Sequence, residues 1–315
     1  MNPLFTLAAR WGLRLALLGP LLLPPAGRGS QLVIGVIGDY GAASGSAEGF
    51  MNERAVANLV KSWRPDFILT VGDNNYPTND AATIDFNIGQ FYHEYIFPYR
   101  GAYGAGAVSN RFFPSIGNHD WALGYFGTNG VKPYLDYFTL PGHQRYYNYR
   151  QGNAEIFCVD SDHLEPDGST ATSPQAQWLR RALAVSTATW RLVFFHQSPY
   201  SSGSIHGSWS RESTNMLWPF RAWGASVILA GHDHLYERIH TNGLPCFIVG
   251  TGGDRLDAFH YPPVAGSVAG YNSSHGALRL DATETNLLFR FFNVSRELID
   301  SWRLEAPSTP AKGRL

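Results

Sequence analysis

Eight polar residues of this chain have the types and spacing for metal chemistry: Asp39, Asp73, Tyr76, Asn118, His119, His196, His232 and His234. They fall in five short blocks, Asp39-Tyr40-Gly41, Gly72-Asp73-Asn74-Asn75-Tyr76, Gly117-Asn118-His119-Asp120, Val193-Phe194-Phe195-His196 and Gly231-His232-Asp233-His234. Carboxylates, imidazoles, an amide oxygen and a phenol make a donor set without thiolate, which suits Zn, Fe or Mn. Two carboxylates with several imidazoles exceed what one cation needs. The inventory fits a two-metal centre, with ions about 3.5–4 Å apart and one carboxylate shared. Six other histidines, His93, His143, His163, His240, His260 and His275, lack this setting and read as ordinary core or surface residues.

Strand ends must bring these blocks together. The apolar runs Leu32–Ile37, Phe67–Val71, Phe112–Ile116, Ala154–Val159, Trp190–Phe195 and Ser226–Ala230 read as buried strands. Ala47–Ser62, Gln175–Val185 and Ser213–Trp223 have helical patterns, and plain strands follow at Cys246–Val249, Ala277–Leu280 and Leu287–Asn293. Five strands end in ligand-capable residues, and in open α/β sheets the carboxyl edge is where loops converge on a site. The intervals from Asp39 to Asp73 and from His196 to His232 are each close to one strand–helix–strand unit of roughly 30 or more residues. Strand–helix alternation first and strands alone later predict an α/β (α+β) fold. The layers would be a four-layer αββα sandwich, two mixed sheets face to face with helices outside.

Composition narrows the classes. Among 315 residues, 24 Lys+Arg balance 25 Asp+Glu for a net charge of −1, which argues against nucleic acid or an anionic membrane held by bulk charge. With 44% hydrophobic residues the chain can build a core, so disorder is excluded. Two cysteines rule out a disulfide scaffold or thiolate zinc cluster. Cys158 and Cys246 read as small buried hydrophobes, with a bridge between them left open. Residues 1–30 carry Arg10 and Arg14, the apolar run Leu15–Leu23 and then Pro24, Pro25, Ala26 and Gly27. That is a secretory signal pattern, implying a secreted or periplasmic protein, with an uncleaved membrane anchor as the alternative. Residues 31–303 read as one folded domain, and 304–315, polar and Pro-bearing, read as a loose tail.

In order, the five blocks resemble the metallophosphoesterases, and specifically the purple acid phosphatases, over residues 35 to about 240 and more loosely to 303. The broader superfamily has Asp-x-His in the first block. Here that histidine is Gly41, and Tyr76 looks like its replacement. A ligating phenol must lose a proton of pKa about 10, so ionisation at pH 5 to 7 costs roughly 4–7 kcal/mol. Fe(III) supplies this more readily than a divalent ion. The resemblance implies Asp39, Tyr76 and His234 around Fe(III), Asn118, His196 and His232 around a second ion (Zn, Fe or Mn), and Asp73 bridging.

It further implies an acid phosphatase-type phosphomonoesterase acting on a small phosphate ester, with a metal-bound hydroxide as nucleophile. His119 would give a proton to the leaving alkoxide, with Asp120 holding its imidazole in orientation. His206, on the loop Ser201–Ser210, would contact substrate. No nucleic acid and no stable membrane partner are expected, and the early first block implies the short, single-domain form. Two alternatives stand beside this reading. One is a phosphodiesterase on the same scaffold. The other is an exported, non-catalytic metal- or glycan-binding module, whose aromatic loops Phe91–Tyr103 and Trp121–Tyr149 could stack on sugars.

Overall fold

The computed structural model describes residues 31–121 and 130–306. The signal-like segment, part of the loop after Trp121 and residues 307–315 lie outside the described residues. Among the described residues, thirteen strands form two sheets. They are β1 (Leu32–Ile37), β2 (Phe67–Thr70), β3 (Phe112–Pro114), β4 (Tyr147–Gln151), β5 (Ala154–Cys158), β6 (Trp190–Gln197), β7 (Val227–Gly231), β8 (Tyr236–Thr241), β9 (Leu244–Val249), β10 (Ser267–Tyr271), β11 (Gly276–Ala282), β12 (Asn286–Asn293) and β13 (Leu298–Glu305). The first sheet has the order β13-β12-β11-β1-β2-β3 and the second β10-β8-β9-β7-β6-β5-β4. Both are mixed. In the first, β1, β2 and β3 run parallel; in the second, β5, β6, β7 and β9 do.

Alternation of side chains builds the layers. Trp190, Leu192 and Phe194 of β6, with Ala154, Ile156 and Cys158 of β5, enter the core shared with Leu278, Leu280 and Phe289 of the first sheet. Val193, Phe195, Phe157 and Val159 face the other way, onto Ala176, Leu179 and Leu183 of the helix Pro174–Val185. With both faces covered, these strands are apolar through their centres, at Ile156–Cys158 and Leu192–Phe195. Ring stacking of Phe247 on Phe289 (4.4 Å) and of Tyr236 on Phe291 (4.0 Å) joins the sheets. The helix Ala47–Ser62, capped by Ser46 accepting from Gly49 N–H, runs between β1 and β2. The sandwich of two mixed sheets with helices is therefore the observed architecture.

Several elements differ from the sequence reading. The single helix at 213–223 is two short ones, Arg211–Asn215 and Phe220–Trp223, because Pro219 between them has no N–H to continue a helix. β6 runs through His196 to Gln197 rather than stopping at Phe195. Leu304 and Glu305, assigned to the tail, end β13. β4, β8, β10 and β13 were not expected; three of them are outer strands of their sheets, with alternating exposure and weak apolar signals. Cys158 and Cys246 are buried and unpaired. No helix among the described residues is long and apolar enough to cross a membrane.

Candidate metal centre

The carboxyl ends of β1, β2 and β3 meet those of β6 and β7 at one edge of the sandwich. Asp39, Asp73 and His232 each follow a glycine at such an end and adopt left-handed backbone, with φ of 55°, 53° and 75°. A non-glycine residue there costs on the order of 1–3 kcal/mol and persists where surrounding structure enforces it, commonly at functional sites. The enforcement is visible: Asp39 N–H donates to Gly72 O (3.1 Å) and Val71 N–H to Ile37 O (2.8 Å), setting the two carboxylate turns side by side. His196 needs no turn. It continues the Trp190-Leu192-Phe194 parity of β6, which faces the first sheet.

The seven residues with metal-ligand character converge. Tyr76 Oη donates to Asp73 Oδ2 at 3.0 Å and lies 3.4 Å from Asp39 Oδ1 and 3.2 Å from His234 Nε2. His234 Nε2 is 3.3 Å from Asp39 Oδ1. On the other side, His196 Nε2 is 3.0 Å from Asn118 Oδ1, 3.1 Å from His232 Nδ1 and 3.2 Å from Asp73 Oδ2. Asp73 Oδ2 thus touches both groups, while Oδ1 accepts the His119 N–H at 2.9 Å.

The donor set fits cations. His196 Nδ1 points at Val71 O (2.8 Å) and His234 Nδ1 at Arg255 O (2.7 Å). A carbonyl only accepts, so each Nδ1 carries a hydrogen and Nε2 is the atom each ring turns to the cage, a lone-pair donor once a cation displaces its proton. Ring nitrogens of three imidazoles, an amide oxygen and two carboxylates then face one another at 3.0–3.3 Å, an arrangement that needs positive charge at its centre, supplied by protons or by cations. Charge in the cage obeys the same logic. Against burial, which would lower it, Asp73 and Asp39 push His196 up to about 10, and Asp39 pushes His234 up to about 9. Burial and the neighbouring His196 hold His232 well below its usual range. Burial, Asp73 and Asp39 raise the Tyr76 phenol, so only a cation can ionise it.

The glycine at position 41 is required by the turn that follows β2. A Cβ at position 41 would lie 1.8 Å from Asn74 O, and Gly41 O accepts the Tyr76 N–H at 2.8 Å. The turn that presents Tyr76 occupies the space a side chain at 41 would need.

Asp120 is a correction. Its carboxylate does not meet His119: it accepts from Gly117 N–H (2.8 Å), Asn74 Nδ2 (2.7 Å) and Asn74 N–H (3.1 and 3.2 Å), tying the second block to the third. Adjacent residues on a helical turn do not face each other, and Asn118–Trp121 is helical. Burial and Asp73 push the Asp120 carboxyl up to about 7. His119 Nδ1 donates instead to Pro77 O at 2.8 Å, and its ring packs on Tyr76 with centroids 4.4 Å apart. His206 packs on His232 with centroids 3.9 Å apart. Both line a cavity of about 500 Å³ over the cage, with Asp73, Tyr76, Asn118, His232 and His234 in its floor.

Sequence reasoning missed the far wall, Asp254, Arg255 and Asp257. Arg255 O orients His234, and Asp257 Oδ2 accepts the His234 N–H at 3.0 Å. The signal existed: β9 is followed by Gly250-Thr251-Gly252-Gly253-Asp254, the same strand, glycine, acid order as β1 and β2.

A two-sheet sandwich carrying carboxylates, imidazoles and a phenol around one centre is a candidate metal site, and the family match gives it the class of a metallophosphoesterase. Residues 32–236 match the family model described as calcineurin-like phosphoesterase, and the chain belongs to that family. Purple acid phosphatase 7 of Arabidopsis thaliana is 23% identical over 293 residues, covering 84% of this chain and 83% of that protein. Tartrate-resistant acid phosphatase type 5 of Rattus norvegicus is 25% identical over 271 residues, covering 78% and 79%. Purple acid phosphatase PPD1 of yellow lupin shares the fold with a TM-score of 0.67 at 17% identity. That match covers 91% of this chain but 58% of the longer lupin chain. GAP50 of Plasmodium, described as the anchor in the inner membrane complex, superposes with a TM-score of 0.65 at 18% identity over 88% of this chain and 90% of that one. The protein is a phosphoesterase hydrolase with purple acid phosphatase homologues.

Proposed function

We propose that the protein is a phosphomonoesterase of the acid phosphatase type with a dinuclear Fe(III)–M(II) centre. The observation that carries this is the position of the Tyr76 hydroxyl, within 3.0–3.4 Å of Asp73, His234 and Asp39. A phenolate among carboxylates is a hard, anionic donor set suited to a trivalent ion. Asp39, Tyr76 and His234 would hold Fe(III), and Asn118, His196 and His232 a Zn, Fe or Mn(II) ion, with Asp73 between them. Such a pair, when bound, acidifies water and offsets phosphoryl charge.

The chain's own groups supply the rest. The cage floor receives the phosphate, and the cavity of about 500 Å³ leaves room for a small alcohol portion. His119, with Nδ1–H committed to Pro77 O, can bring a proton on Nε2 to the leaving alkoxide; such help is worth roughly 10²–10⁴ in rate. His206 supports the phosphate from the opposite side. The convergence of all seven donors speaks against a decayed, non-catalytic module. The pattern of residues 1–30 supports a secreted or periplasmic site of action on a small phosphate ester.

Metal analysis with a visible spectrum tests the proposal. Purified protein should contain iron and show a charge-transfer band that Tyr76→Phe abolishes. Colourless, iron-free protein with full activity would refute Fe(III). Hydrolysis of bis(p-nitrophenyl) phosphate in preference to p-nitrophenyl phosphate would refute the monoesterase assignment.

A further inference from the structure

His206 has a peculiarity. Among the described residues its ring makes no hydrogen bond, unlike His119, His196 and His234. Its direction is therefore set by its backbone and by the ring of His232, 3.9 Å away. The backbone is fastened from an unexpected place. Asp233, between His232 and His234, is buried. Its Oδ1 accepts the His206 N–H at 3.1 Å and its Oδ2 accepts the Ser201 hydroxyl. Ser201 Oγ in turn accepts the Gly203 N–H at 2.9 Å. A Cβ on Gly203 would lie 1.9 Å from Asp233 Oδ1, so the Ser201–His206 loop is wrapped directly around the carboxylate.

We propose that Asp233 is a positioning residue: from inside the turn that presents His232 and His234, its carboxylate holds His206 over the cavity and so fixes the substrate-facing imidazole relative to the cage. The inference rests on the reading of His206 as a phosphate contact. Three adjacent residues then divide the work, His232 and His234 facing the cage and Asp233 facing outward to the loop. The alternation follows from a turn in which successive side chains diverge. A ring that keeps both nitrogens free for substrate cannot be anchored through them, so the anchor must act on the main chain.

The test uses the metal-loaded protein, p-nitrophenyl phosphate as substrate and inorganic phosphate as competitive inhibitor. Asp233→Ala removes two acceptors and should raise KM and the phosphate inhibition constant about tenfold or more, with a smaller fall in kcat. Metal content per chain should stay unchanged, and hydrogen exchange of residues 201–208 should accelerate. Asp233→Asn should stay within about threefold of wild type, since its carbonyl can accept from His206 and its amide can donate to Ser201 Oγ. Ser201→Ala, remote from the cage, should shift the same constants in the same direction by less, and keeps the test open if Asp233→Ala does not fold. Adding His206→Ala to Asp233→Ala should cost little more than Asp233→Ala alone.

Unchanged exchange of 201–208 in Asp233→Ala would overturn the proposal, as would full additivity with His206→Ala. Loss of metal in step with activity would also overturn it, since Asp233 would then serve the cage. If wild-type protein hydrolyses no p-nitrophenyl phosphate, the functional reading fails instead, and the exchange experiment still decides where the loop is anchored.

Discussion

Asp120 separates two readings of the Gly117-Asn118-His119-Asp120 block. In one it orients His119; in the structure it closes three buried donors, Gly117 N–H, Asn74 N–H and Asn74 Nδ2. Asp120→Ala would strand all three. A buried unsatisfied donor costs about 1–3 kcal/mol, so the loss for three is about 3–9 kcal/mol. One kcal/mol shifts Tm by roughly 2–4 °C in domains approaching this size, giving a fall of roughly 6–36 °C. Asp120→Asn keeps an acceptor toward Gly117 and the Asn74 amide and should lose only about 1–2 kcal/mol, with kcat close to wild type. Thermal unfolding, metal stoichiometry and a pH–rate profile for both variants decide the matter. The reasoning is refuted if Asp120→Asn keeps the wild-type Tm but loses a hundredfold or more in kcat with a displaced limb of the profile. That is the signature of a lost His119 partner.

Other perturbations probe the rest of the scaffold. Asp73→Ala should abolish turnover of p-nitrophenyl phosphate, because one carboxylate touches both donor groups; wild-type-like turnover would place the centre elsewhere. Gly41→Ala puts a methyl 1.8 Å from Asn74 O and should displace the Tyr76 turn, lowering bound iron and costing about 1–3 kcal/mol or more; wild-type iron and Tm would show that the turn has slack. Asp281, buried on β11, accepts from Arg279 (2.8 Å) and from Arg290. Burial alone would raise its carboxyl, but the two guanidiniums hold it below its usual range. A depressed carboxyl stabilises the fold above the unfolded value of about 3.9 and loses that stability as pH falls toward the folded one. Asp281→Asn should therefore cost most Tm at pH 7 and least near pH 3. A Tm deficit independent of pH would show that the pair contributes through shape alone.

Much of the site was legible in the chain because ligand identity is local chemistry. A parallel strand buried on both faces reads as a continuous apolar run, and the first polar residues after it stand at the sheet edge. Leu32–Ile37 before Asp39 and Phe67–Thr70 before Asp73 are such cases. The outer strands β10 and β13 were not legible, since half-exposed strands carry too weak an apolar signal, and β8 was not because Glu237, Arg238 and His240 break its apolar run.

The chain by itself determined the donor types, their order, the strands that end in them and the family to which they belong, because each of these is fixed within a few neighbouring residues. Only the tertiary structure decided partners. Asp120 turned to Asn74 rather than to the histidine beside it, Asp233 gathered a loop some thirty positions earlier, and Arg255 reached His234 from a segment with no recognised motif. Direction and partnership of a polar side chain depend on which distant backbone comes to lie against it, and that follows from how two sheets pack.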